Sequence, residues 1–270
     1  ATDYRAYFER NASEGLTCLD QAPRWAIWPG HGILSYGLNA KNASVIGDIA
    51  INSSQVVQMS QALGGWAPLS ESDVFEVEYW ELEQAKLKSN KGSAPLEGKI
   101  ALVTQAASKL GVTSVHTLLA QGAAVIALDR DPKIVSAFNS PACLALACSI
   151  GDTNALRLAM EQATETFGGL DILVVNKTSQ TNEISSLLQV AIPFLELGIN
   201  PSISIVGTNA AADLQEVHDA TRETSIHVNS IDPSSHTVYA SYRADNSSAV
   251  PLCSQTIARI VTTSAIERHD

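Results

Sequence analysis

Apolar positions along this chain keep one period before residue 88 and another after residue 95. Over 40–63, Ala43, Ile46, Ile49, Val56, Val57 and Leu63 follow a helical period, and Gly64-Gly65 stops the run, so a helix is expected there. A second helix is expected over 71–88, with Ser70 as its cap and acids in its first turn, where the macrodipole favours negative charge. Beyond residue 95 short apolar runs at 99–104, 123–128, 143–148, 170–175 and 202–206 read as buried strands. Amphipathic stretches at 109–121, 132–138, 153–167 and 184–197 read as the helices between them. Such alternation implies right-handed crossovers and a parallel sheet with helices on both faces, so the expected class is α/β, preceded by a small, mainly helical segment.

Composition adds a division and several exclusions. All four tryptophans, Trp25, Trp28, Trp66 and Trp80, lie before residue 89, and "SNKGSAP" at 89–95 has the small, polar, Pro-terminated make-up of a linker. The expected domains are therefore 1–88 and 96–270. With 270 residues, 45% of them hydrophobic, the chain can bury a sizeable core. A net charge of −11 argues against a nucleic-acid partner or an anionic membrane surface, which need a basic face. Cys18, Cys143, Cys148 and Cys253 show no CxxC, so buried, reduced thiols are expected, in a reducing soluble compartment such as cytoplasm or an organelle stroma or matrix. No apolar run is long enough to span a bilayer, and no basic leader with an apolar core is present; the start at Ala1 without Met leaves a removed leader open.

Four stretches, "LEGKIALVTQAASKLGVTSVHTLLAQGAAVIALDRD", "FGGLDILVVNKT", "SISIVGTN" and "IHVNSIDPSS", follow one another in the order of the landmarks of short-chain dehydrogenases/reductases. Over roughly 96–235 the chain resembles that family, which implies a Rossmann-like domain that binds a nicotinamide dinucleotide. In the family's TGxxxGxG turn, Thr104 and Gly111 match, while Gln105 and Lys109 replace the first two glycines. Glycines there allow positive φ and let the backbone approach the pyrophosphate. The two side chains are expected to leave a closed turn, with Lys109 as a phosphate-binding cation the other reading. Asp129 falls where a ribose-binding acid implies NAD rather than NADP, or else it caps the turn that follows. Ser149 stands where the resemblance implies an adenine-contacting acid. Of "NNAG" only Asn176 remains, Lys177 and Thr178 taking the last two places.

The resemblance further implies a Ser after the fifth strand and a YxxxK pair on the next helix, in which the Lys lowers the Tyr pKa for proton transfer. Thr208 stands at the Ser position, no Tyr or Lys lies between Asn209 and Ser230, and Lys177 is the last lysine. The interval before "HVN" at 227–229 looks too short for the full helix, which is expected to be deleted or cut to a turn. Tyr239, Tyr242 and Arg243 come after the sixth strand, where geometry is against a replacement role.

In the first segment, "GHGILSYGLNAKNASVIGDIAINSSQVVQMSQALGG" and "DVFEVEYWELEQAKLK" resemble the C-terminal part of class II aldolases and its junction in fused aldolase/dehydrogenase proteins of the rhamnulose-phosphate aldolase/alcohol dehydrogenase type. His31 matches a zinc ligand of that family. Zinc needs two more protein ligands, and no other His lies in this segment, so no metal is expected. These departures together lead to the expectation of a non-catalytic pseudoenzyme without cofactor, serving as a structural or accessory subunit beside other protein subunits. An NAD-dependent oxidoreductase or dinucleotide sensor with an altered site is the alternative.

Overall fold

Helical periodicity before residue 88 and strand–helix alternation after residue 95 become two compact units, residues 1–93 and 94–270, in the computed structural model. The structure describes residues 2–81, 84, 94–177, 183–207, 210–232 and 237–241. The first unit contains α1 (Thr2–Asn11), an antiparallel hairpin of β1 (Trp25–Trp28) and β2 (Gly32–Ser35), α2 (Ala40–Leu63) and α3 (Glu71–Glu78). Helix α2 runs as the sequence predicts, with the Asn39 side chain accepting from the Asn42 N–H and Gly64 closing the end. Its apolar residues, however, do not share one face. Ala50 is buried, with Ala43, Ile46 and Val57 half-buried, whereas Ile49, Val56 and Leu63 are exposed.

Helices α1 and α3 are joined by rings. Phe75 stacks on Tyr79 at 4.3 Å and meets Tyr7 edge-on at 5.5 Å. The Tyr4 and Tyr7 hydroxyls donate to the two oxygens of Glu78 at 2.8 and 3.0 Å. Tyr79 leaves the helical conformation and interrupts the helix expected over 71–88, of which Glu81 and Gln84 are helical again and the rest beyond 81 lies outside the described residues: its ring is held by Phe75, and its hydroxyl bonds Tyr4 and the Leu19 N–H.

The second unit is built on a seven-stranded sheet of β3 (Ile100–Val103), β4 (Ala124–Asp129), β5 (Cys143–Ala147), β6 (Ile172–Asn176), β7 (Ser202–Val206), β8 (His227–Asp232) and β9 (Thr237–Ser241). The order is β5-β4-β3-β6-β7-β8-β9, and every pairing is parallel except the last. This is a Rossmann-like, doubly wound sheet. Helices α4 (Lys109–Ala120), α5 (Thr153–Phe167), α6 (Ile184–Leu195) and α7 (Ala210–Thr221) connect the strands, with a 3-10 turn, Pro132–Ser136, where the pattern predicts a longer helix. One apolar cluster unites Leu102, Leu173, Ile203 and Val228 with Leu156, Met160 and Leu187 of the helices. The other unites Ala101, Val103, Val125 and Val174 with Val115 and Leu118 of α4. Both faces of the central strands are thus buried, as their unbroken apolar runs require. At the amino end of the sheet, buried Asp171 accepts from the Ile100 and Ile199 N–H groups at 2.9 and 2.8 Å.

The interval between β7 and β8 corrects the expectation of a lost helix. Helix α7 has twelve residues. At about 1.5 Å per residue they cover about 18 Å, roughly the length of a five-residue strand, so the crossover closes without a longer helix. Cys143 and Cys18 are half-buried rather than buried, and Cys148 is buried; all three are free, and Cys253 lies outside the described residues. No helix among the described residues is long and apolar enough to cross a membrane.

Candidate functional site

Strand order reverses between β3 and β6, because the chain leaves β3 for β4 on one side and returns to β6 on the other. Ligands of open α/β sheets bind in the crevice outside the carboxyl ends of the strands at such a point. Four segments reach it here: the turn after β3, the end of β4, Asn176-Lys177 after β6, and Gly207 after β7.

The turn after β3 takes a defined backbone conformation with one of the three glycines of the family pattern. Gln105 adopts φ 49°, the left-handed conformation that glycine supplies most cheaply. Gly111 is indispensable, because a Cβ there would lie 2.1 Å from the Gln105 carbonyl oxygen and 2.6 Å from the Ala106 Cα. Helix α4 therefore starts in direct contact with the turn. Ser108 caps it, donating to the Gln105 carbonyl at 2.8 Å and accepting from the Gly111 N–H at 3.0 Å. Lys109, first in the helix, is exposed. A glycine at position 105 is thus not needed for the backbone of the turn, since Gln105 takes the positive φ, and Lys109 lies exposed at the start of the helix.

Asp129, half-buried at the end of β4, accepts from the Ala107 N–H and the Asp131 N–H, each at 2.9 Å. It ties the turn to the second strand and caps its own loop, and each oxygen keeps a further lone pair for a hydroxyl donor. Thr104 and Asn176 are locked together: the Thr104 Oγ1 accepts from the Asn176 N–H at 3.1 Å, and the Asn176 amide donates to the Thr104 carbonyl at 2.8 Å. Both are buried, and Asn176 Oδ1 has no hydrogen-bond partner. This pair fastens β3 to β6 under the crevice.

Lys177 forms an ion pair with Asp213 of α7, both side chains only 17% exposed. Gly207 makes room for it, since a Cβ there would lie 2.6 Å from the Lys177 carbonyl oxygen. The sequence reading missed this pair by treating α7 as lost. The available signal was a lysine in an otherwise apolar position, followed by an acid in the first turn of 210–221. Thr208, Thr178, Tyr242 and Arg243 lie outside the described residues; Ser149 is exposed, and Tyr239 belongs to β9.

His31 sits in the β1–β2 turn between Gly30 and Gly32, both at positive φ, and its exposed ring lies 4.6 Å from that of Trp28. Among the described residues no group of three His, Cys, Asp or Glu side chains is arranged to hold a metal.

Comparison with known proteins agrees with the two-part construction. Residues 1–87 match the family model "Aldolase class II, second domain", and residues 99–194 match "short chain dehydrogenase". The two matches follow one another in the order of the fused aldolase/dehydrogenase proteins, of which the chain is a shortened relative. The uncharacterized oxidoreductase YuxG of Bacillus subtilis is 28% identical over 218 residues, covering 77% of this chain and 30% of its own length. The (+)-cis,trans-nepetalactol synthase NEPS2 of Nepeta racemosa is 26% identical over 133 residues, 47% of this chain and 48% of that one. The chain thus spans half or less of the length of these relatives. Among solved structures, the 3-ketoacyl-(acyl-carrier-protein) reductase of Brucella melitensis complexed with NADH is 22% identical, with a TM-score of 0.45 over 51% of this chain and 76% of that one.

These matches overturn the expectation of a non-catalytic, cofactor-free pseudoenzyme. The match over 99–194 is to a dehydrogenase family, and the relative aligned over 218 residues is named an uncharacterized oxidoreductase. The physical reason for the misreading is that a glycine was equated with the conformation it permits: Gln105 adopts that conformation without the glycine.

Proposed function

We propose that the second unit is an NAD(H)-dependent oxidoreductase of the short-chain dehydrogenase class, with its cofactor across the β3/β6 crevice. The observation that carries this reading is the backbone of the turn after β3, with Gln105 at φ 49° and Gly111 packed against it. The residues fit a dinucleotide. Ser108 satisfies only the third amide of α4, so the N–H groups of Lys109 and Leu110, together with the exposed Lys109 ammonium, present positive charge to a pyrophosphate. Asp129 would accept from the adenosine ribose hydroxyls and repel a 2′-phosphate, favouring NAD over NADP. When bound, the nicotinamide would supply hydride acceptance or donation.

Because α7 carries no Tyr or Lys, proton transfer needs another group. Lys177 is placed for it at the carboxyl end of β6, and Asp213 holds the ammonium in position. An ammonium so held can donate a proton to the oxygen of a carbonyl being reduced at the crevice mouth. Titration of NADH and NADPH by fluorescence energy transfer or calorimetry tests the reading. Wild-type protein should bind NADH at least about tenfold more tightly than NADPH, and Asp129→Ala should abolish that preference. Lys177→Met should keep NADH binding while lowering turnover on a carbonyl panel about 100-fold or more. Failure of both dinucleotides to bind would overturn the proposal.

A further inference from the structure

At the carboxyl edge of the sheet one carboxylate is held in place yet left unused. Glu183 immediately precedes α6, and its side chain does not cap that helix. It lies instead against the loop after β5: a Cβ on Gly151 would stand 2.5 Å from the Glu183 carboxyl carbon and 2.6 Å from each of its oxygens. Among the described residues the carboxylate has no hydrogen-bond or ion-pair partner, and the residue is exposed. Its acidic neighbour in that loop is engaged. Asp152 caps α5, accepting from the Asn154 and Ala155 N–H groups at 3.0 Å each, and its own N–H closes the turn onto the Ser149 carbonyl at 3.1 Å.

Strand order gives this contact its place. In the sheet, β5 and β6 flank β4 and β3, so Glu183 on Gly151 joins the carboxyl-end loops on either side of Asp129 and the turn after β3. Asp129 itself is in register with Ala147, four residues before Gly151. We infer that Glu183 selects adenine, its carboxylate accepting a hydrogen bond from the exocyclic amino group of the base. This rests on the reading of the crevice as a dinucleotide site. With the pyrophosphate at the start of α4 and the ribose at Asp129, the base extends past Asp129 toward the turn at 149–152, which Glu183 overlies. An ionised carboxylate only accepts hydrogen bonds. It therefore matches an amino group and opposes a base with an oxygen at the same place, such as hypoxanthine. Gly151 makes the arrangement possible. Its φ is not positive, so the turn does not need glycine for its backbone; what a Cβ there would meet is the end of the Glu183 side chain, which can swing away.

Fluorescence titration of the full chain with NADH and with its hypoxanthine analogue, reduced nicotinamide hypoxanthine dinucleotide, tests this. Wild-type protein should bind NADH at least about tenfold more tightly than the analogue. Glu183→Gln should reduce that preference to about twofold or less by weakening NADH binding, because the amide offers a donor as well as an acceptor. Gly151→Ala should do the same by displacing the carboxylate. Both variants should keep the far-UV circular dichroism of the wild type and the preference for NADH over NADPH that Asp129 sets. Should Gly151→Ala unfold, Glu183→Gln, a change at an exposed side chain, decides alone. Equal binding of NADH and the analogue by wild-type protein overturns the inference, as does a preference that persists in Glu183→Gln, and in either case the dinucleotide site still stands. Failure of both dinucleotides to bind wild-type protein overturns that site and the inference with it.

Discussion

The two units bury their apolar residues to very different extents. In the second, the central strands are closed on both faces, with Leu102, Ile126, Leu173 and Ile203 fully buried. In the first, Ala50, Phe75 and Tyr79 are the buried hydrophobic residues among those described, while Trp25, Trp28, Ile49, Met59, Leu63 and Trp66 are at least two-fifths exposed. A parallel sheet with crossover helices is closed by its own topology, whereas a long helix on a hairpin of two four-residue strands leaves Val45, Ile49, Val56, Met59 and Leu63 exposed. The second unit therefore has the larger apolar core among the described residues.

The four tryptophans all belong to the first unit, so their fluorescence reports it alone, and far-UV circular dichroism reports both. Gly111→Ala should cost the second unit about 3 kcal/mol or more, because the new Cβ meets backbone at 2.1 Å. Urea unfolding should then show the dichroism transition moving to lower urea while the fluorescence transition stays in place; coincident shifts would break the comparison. Leu173→Ala in β6 should cost about 2–5 kcal/mol, and Ile49→Ala in α2 only about 0.5 kcal/mol or less. Equal costs would mean that α2 is not the open side of its unit.

Two smaller effects sharpen the contrast. Ser108→Ala removes the α4 cap and should cost about 1 kcal/mol, read by dichroism and not by fluorescence. In the first unit, burial and the hydrogen bond to Glu78 push Tyr7 up to about 12 from its ordinary 10.0. The folded state holds this proton more tightly than the unfolded chain, so the contribution is complete below pH 10 and lost as pH rises towards 12. Tryptophan fluorescence should report a small alkaline loss of stability, and Tyr7→Phe should lessen it, the remainder coming from Tyr4, which burial and its hydrogen bonds to Tyr79 and Glu78 also push up.

Where local pattern decides structure, the sequence was legible. Helix α2, helix α5 and strand β7 stand at their expected bounds because periodicity, the Asn39 and Asp152 caps and the closing glycines agree. Where distant contacts decide, it was not. Helix α3 gives way at Tyr79, whose hydroxyl is hydrogen-bonded to Tyr4 and Leu19, 75 and 60 positions away. Helix α1 and the β1–β2 hairpin carry short, weak patterns. In the candidate site, Thr104, Gly111, Asp129 and Asn176 were picked out by position, but their hydrogen bonds were not readable. Neither was the pairing of Lys177 with Asp213, which depends on α7 returning beside the end of β6.

Hydrogen–deuterium exchange of the full chain with and without NADH tests the central claim most directly, because it reads binding and place together. The expected result is slowed exchange at 105–112, where the Lys109 and Leu110 amides open the helix, and at 129–131, with no change over 1–93. Exchange unaltered by saturating NADH, or altered only within 1–93, would contradict a dinucleotide site at the β3/β6 crevice.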